Sequence, residues 1–301
     1  MEIGMIGLGR MGASMAQRLV SGGHRVVGFD SNEMTRAGMA GQGVGCVDSL
    51  EALVGKLQAP RAIWLMVPAG EAVDRTIAAL LPLLTAGDAI IDGGNSNYKD
   101  TLRRGTDLLE PQIHFVDCGT SGGIWGLTEG YSLMIGGEST VVERLRPIFE
   151  TLAPAQDQGW GRVGPSGAGH FTKMIHNGIE YGLMQAYAEG FSIMQHKPEF
   201  GLDLHQVAEI WRHGSVVRSW LLDLTAHALE QNPNMAGIAP YVVDSGEGRW
   251  TVNEALELNV PVPVITQSVI QRLRSRDSES FSDRLLASMR NEFGGHSVQK
   301  P

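Results

Sequence analysis

Only two cysteines, Cys46 and Cys118, occur in 301 residues, and neither belongs to a CxxC or Cys/His pattern. Their scarcity excludes a disulfide framework and a structural zinc site, and it fits a reducing, cytoplasmic setting. No apolar run reaches about 18 residues, so no membrane-spanning helix is expected. The opening MEIGMIGLGRMG also lacks the charged, apolar, then small order of a secretory signal. Basic residues are few: 24 Lys and Arg stand against 33 Asp and Glu, a net charge of −9, with no block of five or six cations. Nucleic acids and anionic membranes need a sustained basic surface, so neither is an expected partner. An anionic ligand would have to be met by a few local cations. Aromatic residues make up 6% and are scattered; Trp64, Trp211 and Trp220 read as core residues. Glycine is the exception, with 39 residues in short clusters, which points to close backbone approach to ligands rather than to flexible linkers.

The first half alternates short apolar runs with amphipathic segments, as βαβ units with a parallel sheet require. Strands are expected at 3–6, 25–29, 62–67, 89–92 and 113–117, with a further one at 132–136. Helical spacing marks 11–20, 71–84, 97–109 and 141–152. The turn-rich stretch GWGRVGPSGAG at 159–169 reads as a domain boundary. Beyond it the pattern becomes helical, with a long helix from Ala168 to about His196 and shorter ones at 204–212, 219–229, 250–258, 262–274 and 281–291. The expected architecture is an α/β, Rossmann-type doubly wound domain over residues 1–165, followed by an all-α domain over 166–301.

The first strand runs into Gly7-Leu8-Gly9-Arg10-Met11-Gly12 and then into a helix, the context that gives a GxGxxG pattern meaning. Gly7 permits the tight turn, Gly9 lets the backbone approach a pyrophosphate, and Gly12 lets helix and strand pack closely. The helix N-terminus adds unpaired N–H groups and partial positive charge. The second strand ends in Asp30, where such a fold places the acid that binds the adenosine ribose. An aspartate there repels a 2′-phosphate, so NAD is expected over NADP, although nearby Arg36 leaves room for NADP. Two more loops belong at strand carboxyl ends: Val67-Pro68-Ala69-Gly70 and Asp92-Gly93-Gly94-Asn95-Ser96. Asn95 suits either a nicotinamide amide or sugar hydroxyl, or the cap of the following helix.

The segment GAGHFTKMIHNGIEYG at 167–182 is the most informative. On a helix, Lys173, His176, Asn177, Glu180 and Tyr181 fall at i, i+3, i+4, i+7 and i+8 and share one face. A base, an acid and polar donors on one rigid element suit proton transfer at neighbouring carbons. Phe171, Met174, Ile175, Ile179, Leu183 and Met184 occupy the other faces, so the helix is expected to be wrapped in apolar contacts.

The fingerprint GLGRMG, the loop DGGNS, the segment DCGTSGG at 117–123 and HNGIEYG together resemble the decarboxylating 6-phosphogluconate dehydrogenases of the β-hydroxyacid dehydrogenase family. The chain is similar to the short, often NAD-using form. The resemblance implies that Lys173 is the general base for the C3 hydroxyl and later the donor to the resulting ketone, and that Glu180 protonates C1 of an enediol. It assigns His176 and Asn177 to substrate hydroxyls, with Asn95, Ser121, Gly122 and Gly123 also at the substrate. Tyr181 and Arg249, where longer relatives carry lysine, would meet the phosphate. Arg290 and His296 would reach a neighbouring subunit's phosphate, making a homodimer or homotetramer with a shared site. A second phosphate arginine falls within 272–276, with no single residue assigned. No metal is implied. The alternatives are a non-decarboxylating relative acting on 3-hydroxyisobutyrate or tartronate semialdehyde, and a dinucleotide-binding sensor without turnover.

Overall fold

The computed structural model describes residues 1–299. Its contacts divide the chain into two compact units that meet at His176/Asn177. The division lies inside a helix, eleven residues past the boundary expected from the turn-rich stretch.

In the first unit eight strands form one sheet: β1 (Glu2–Ile6), β2 (Arg25–Phe29), β3 (Gly45–Cys46), β4 (Ala62–Leu65), β5 (Ala89–Asp92), β6 (His114–Ser121), β7 (Ser132–Gly136) and β8 (Trp160–Gly164). Their order is β3-β2-β1-β4-β5-β6-β7-β8, parallel throughout except between β6 and β7. Helices α1 (Arg10–Ser21), α2 (Glu33–Ala40), α3 (Leu50–Gly55), α4 (Glu71–Leu80), α5 (Tyr98–Asp107), α6 (Gly126–Glu129) and α7 (Ser139–Leu152) connect them. β4 and β5 are buried at every position because helices cover both sheet faces. Two apolar clusters result, one around Met5, Trp64 and Phe149, the other around Leu53, Ile63 and Leu80. α1 turns Gly12, Met15, Ala16 and Leu19 inward, the i, i+3, i+4, i+7 stripe of an amphipathic helix.

The connection after β1 goes to one side of the sheet and the connection after β4 to the other, which opens a crevice at the carboxyl ends of the strands. β8 departs from the expectation: Trp160–Gly164 lies within the turn-rich stretch that reads as a domain boundary, and it pairs parallel with β7.

Helix α8 (Ala168–Gln195) runs 28 residues and crosses the line between the units. The second unit continues with α9 (Leu204–Arg212), α10 (Trp220–Gln231), α11 (Glu247–Glu257), α12 (Pro263–Arg274) and α13 (Phe281–Gly294). Its buried apolar cluster is small: Phe191, Ala208, Leu222, Ala226 and Leu229, with Trp211 edge-on to Phe191. Trp220, expected in the core, is 47% exposed. Among the described residues no helix is long and apolar enough to cross a membrane, and no group of three His, Cys, Asp or Glu side chains could hold a metal ion.

Candidate active site

The crevice of the first unit contains a cavity of about 870 Å³ lined by the β1–α1 turn, Asp30, Val67–Pro68, Gly94 and Asn95. The three fingerprint glycines do different things. Gly7 has φ +91°, and a Cβ there would lie 2.4 Å from the Met66 carbonyl oxygen. At Gly12 a Cβ would lie 1.9 Å from the Gly7 carbonyl oxygen, so only glycine lets α1 start so close to β1. A Cβ on Gly9 would meet nothing within 4 Å: that position faces open space, where a side chain would obstruct a ligand approaching the N-terminus of α1. Arg10 and Met11 line the cavity, but Leu8 does not. The Leu8 side chain is buried in the core, and its N–H donates to Asp30 Oδ2 at 2.8 Å. Asp30 Oδ1 accepts from the Asn32 N–H, also at 2.8 Å. The Arg36 guanidinium donates to the carbonyls of Asp30 and Ser31.

Sequence reasoning missed the residue that ties the two remaining loops together. Arg104 on α5 is 2% exposed. Its Nε donates to Asp74 Oδ1 at 2.8 Å, its Nη2 to the Gly70 carbonyl at 3.0 Å, and its Nη1 lies 3.6 Å from Asp92 Oδ2. Asp92 in turn accepts from the Gly94 N–H and the Ser96 hydroxyl. The Arg104 hydrogen bond, with Arg103 adding a second, pulls the Asp74 carboxyl from its ordinary 3.8 down to about 2 against the opposing effect of burial. Gly93 is glycine because a Cβ would lie 2.2 Å from the Trp64 indole nitrogen. Asn95 is exposed at the cavity edge, and the cap of α5 is Asn97, whose side chain accepts from the Lys99 N–H.

Also in the first unit, β6 lies against the start of α8. A Cβ on Gly119 would fall 2.4 Å from the Lys173 Cβ, and one on Gly169 would meet the Met134 and Asp117 carbonyls. This close approach buries Lys173, 7% exposed, with its amine 3.4 Å from His176 Nδ1. His176 Nε2 lies 3.4 Å from the hydroxyl of Ser121, the last residue of β6. Gly122 and Gly123 follow with φ +137° and +53°, conformations that favour glycine. Cys118 is fully buried, and desolvation pushes its thiol far up.

In the second unit Asn177 is buried and Glu180 half-buried on the next turns of α8. Tyr181 is buried, its hydroxyl 3.1 Å from the Ser245 hydroxyl. The Arg272 guanidinium lies over the Tyr181 ring, 3.5 Å from its centre, and donates to the Val243 carbonyl, which singles it out within 272–276. Arg249 is paired with the fully buried carboxylate of Asp244, which Arg276 also approaches at 3.9 Å. Arg290 is exposed in α13 and His296 is exposed just beyond it. Ile179, Leu183 and Met184 are exposed rather than wrapped. Helical periodicity alone does not distinguish such an uncovered apolar stripe from a core.

Residues 2–161 match the family model of the NAD binding domain of 6-phosphogluconate dehydrogenase, and residues 169–300 match that of the 6-phosphogluconate dehydrogenase C-terminal domain. The NAD(+)-dependent, decarboxylating 6-phosphogluconate dehydrogenase of Haloferax volcanii is 44% identical over 301 residues, covering 100% of this chain and 99% of its own length. The NADP(+)-dependent, decarboxylating enzyme of Bacillus subtilis is 40% identical over 293 residues, 92% of this chain but 62% of that longer relative. The solved Plasmodium falciparum 6-phosphogluconate dehydrogenase superposes with a TM-score of 0.85 at 29% identity, covering 100% of this chain and 66% of that one. With both halves matched and a relative of equal length at this identity, the chain belongs to the 6-phosphogluconate dehydrogenase family of oxidoreductases.

Proposed function

We propose that the chain catalyses oxidative decarboxylation of 6-phosphogluconate to ribulose 5-phosphate and carbon dioxide, with NAD rather than NADP. The observation that carries this reading is the buried Lys173 amine beside His176, on the helix that presents Asn177 and Glu180 one and two turns further on. A lysine amine held beside a histidine on a helix packed against the sheet is suited to exchange a proton with a substrate hydroxyl.

The first-unit cavity fits a dinucleotide, since Gly9 leaves open the space a Cβ would fill and the α1 N-terminus points its N–H groups there. When bound, NAD supplies the hydride acceptor. Asp30 favours it: each carboxylate oxygen accepts one backbone N–H and keeps lone pairs for ribose hydroxyls, whereas a 2′-phosphate would meet this negative charge. Arg36, the residue that left room for NADP, spends its Nη1 on the carbonyls of Asp30 and Ser31.

Lys173 takes the proton of the C3 hydroxyl as C3 is oxidised. The product is a β-keto acid, and protonated Lys173 then donates to the ketone oxygen as the carboxylate leaves as carbon dioxide and its bonding pair moves into an enediol. Glu180 delivers the proton to the former C2, which becomes C1 of ribulose 5-phosphate. Ser121, His176 and Asn177 hold substrate hydroxyls, and Tyr181 with Arg249 and Arg272 forms the phosphate end.

A second copy completes the molecule. Ile179, Leu183, Ala186 and Ile193 fall at i, i+4, i+7 and i+14 of α8 and are all exposed in the single chain, Ile193 by 73%. Such a stripe matches itself across a two-fold axis. Arg290 and His296, both exposed, would then face the partner's phosphate. Two free cysteines support a cytoplasmic setting. The test is turnover of 6-phosphogluconate followed at 340 nm in parallel with NAD and NADP. Reduction with a clear preference for NAD is expected, and reduction of neither would overturn the assignment.

A further inference from the structure

We propose that Asp117 is a positioning residue that fixes Lys173 by holding the first turn of α8 from the sheet. The inference rests on the reading of Lys173 as the base. Asp117 is fully buried in β6, and its two carboxylate oxygens accept the backbone N–H groups of Gly167 and His170 at 2.7 and 2.8 Å. These are N–H groups that a helix start leaves without intrahelical partners. The local sequence offers no cap of its own: Gly167 has no side chain, and the Ser166 hydroxyl is buried without a hydrogen-bond partner. The cap therefore comes from 50 residues away, and its negative charge sits at the positive end of the helix dipole.

The register explains why this matters for Lys173. Asp117, Gly119 and Ser121 alternate along β6 and so point to one face. They meet α8 at His170, Lys173 and His176, successive steps of three along the helix. Of these three points, Gly119 supplies only closeness and Ser121 one long contact of 3.4 Å, whereas Asp117 supplies two short bonds. Position 136 has to be glycine for the carboxylate to sit there: a Cβ on Gly136 would lie 2.4 Å from Asp117 Oδ1. A second tie, His170 Nδ1 to the Thr101 hydroxyl at 2.7 Å, holds the same turn against α5. Lys173 follows His170 by three residues, so tilting or fraying of that turn moves its amine directly.

The experiment compares the wild type with Asp117→Asn, which keeps the volume but replaces one acceptor with a donor that faces an N–H. Asp117→Ser carries the same expectation should the amide variant fail to fold. The readouts are kcat and KM for 6-phosphogluconate, NAD affinity by fluorescence titration, the kcat–pH profile, amide hydrogen exchange at His170, and the rate of trinitrophenylation of Lys173. We expect faster exchange at His170, altered Lys173 labelling, a displaced limb of the kcat–pH profile and a roughly 10- to 100-fold lower kcat, with NAD affinity within about twofold. Faster exchange with unchanged kcat and labelling would reduce Asp117 to a structural cap and overturn the proposal. Parallel losses of NAD affinity and kcat would do so too, by showing general destabilisation. A wild type without turnover would refute the base assignment separately, and the exchange and labelling data would still decide whether Asp117 positions Lys173.

Discussion

The two units bury their apolar residues in different ways. The first covers both faces of its sheet with helices and encloses two apolar clusters, so that β4 and β5 are buried along their whole length. Among the described residues the second has one small cluster and leaves large side chains such as Ile193, Leu256, Val264 and Phe281 exposed. A doubly wound sheet satisfies itself within one chain because every strand has two covered faces. A set of helices with apolar residues on outward stripes is complete only against another surface. The first unit is thus self-contained, whereas the second leaves apolar stripes uncovered, which the proposed second copy would cover, and α8 belongs in part to each unit.

The largest effect that sharpens this contrast is expected at Lys173. Lys173→Met should lower 6-phosphogluconate turnover by about 10³-fold, within the range of general acid–base catalysis, while NAD titration stays unchanged because the cavity belongs to other elements. Equal losses in both would break the separation between cofactor and chemistry. Next, Leu183→Asp places a charge in the exposed stripe of α8 and should convert the assembly to monomers in sedimentation measurements, with the near-ultraviolet signal of buried Trp64 retained. An unchanged mass would remove α8 from the interface. Asp30→Ala should weaken NAD by about tenfold and narrow the NAD/NADP ratio; an unchanged ratio would confine Asp30 to holding the Leu8 N–H. The smallest effect concerns Asp74. Its carboxyl is held at about 2 in the fold against an ordinary 3.8, so it stabilises the charged, folded form above about pH 4. That contribution fades as pH falls from about 4 through 2. Asp74→Asn should flatten the acid-unfolding curve within that window only, and modestly, since the side chain is 36% exposed.

Most helices and the central strands were legible because their apolar spacing is set by one buried face. β8 was not, since Gly and Trp in Gly159–Gly164 read as a turn while an edge strand needs only backbone pairing to β7. α2 and α3 were missed for want of length: at eight and six residues they carry little periodic signal. In the candidate site, local signals were readable and through-space ones were not. The fingerprint glycines and the polar face of α8 can be seen in order along the chain. Asp117, Arg104 and Asp244 act across tens of residues or from full burial, and nothing adjacent in sequence announces their partners. Asn95 and Asn97 stand two apart, and only the backbone shows which of them caps α5. Ile179 and Leu183 have the spacing of core residues, and that spacing does not reveal that they stand exposed.

The central claim, that one helix carries the groups for both oxidation and decarboxylation, is tested most directly by measuring carbon dioxide and reduced cofactor together in one reaction with 6-phosphogluconate and NAD. The account predicts equal amounts of the two throughout the time course. Reduced cofactor without carbon dioxide would contradict it and move the chain to the non-decarboxylating hydroxyacid dehydrogenases.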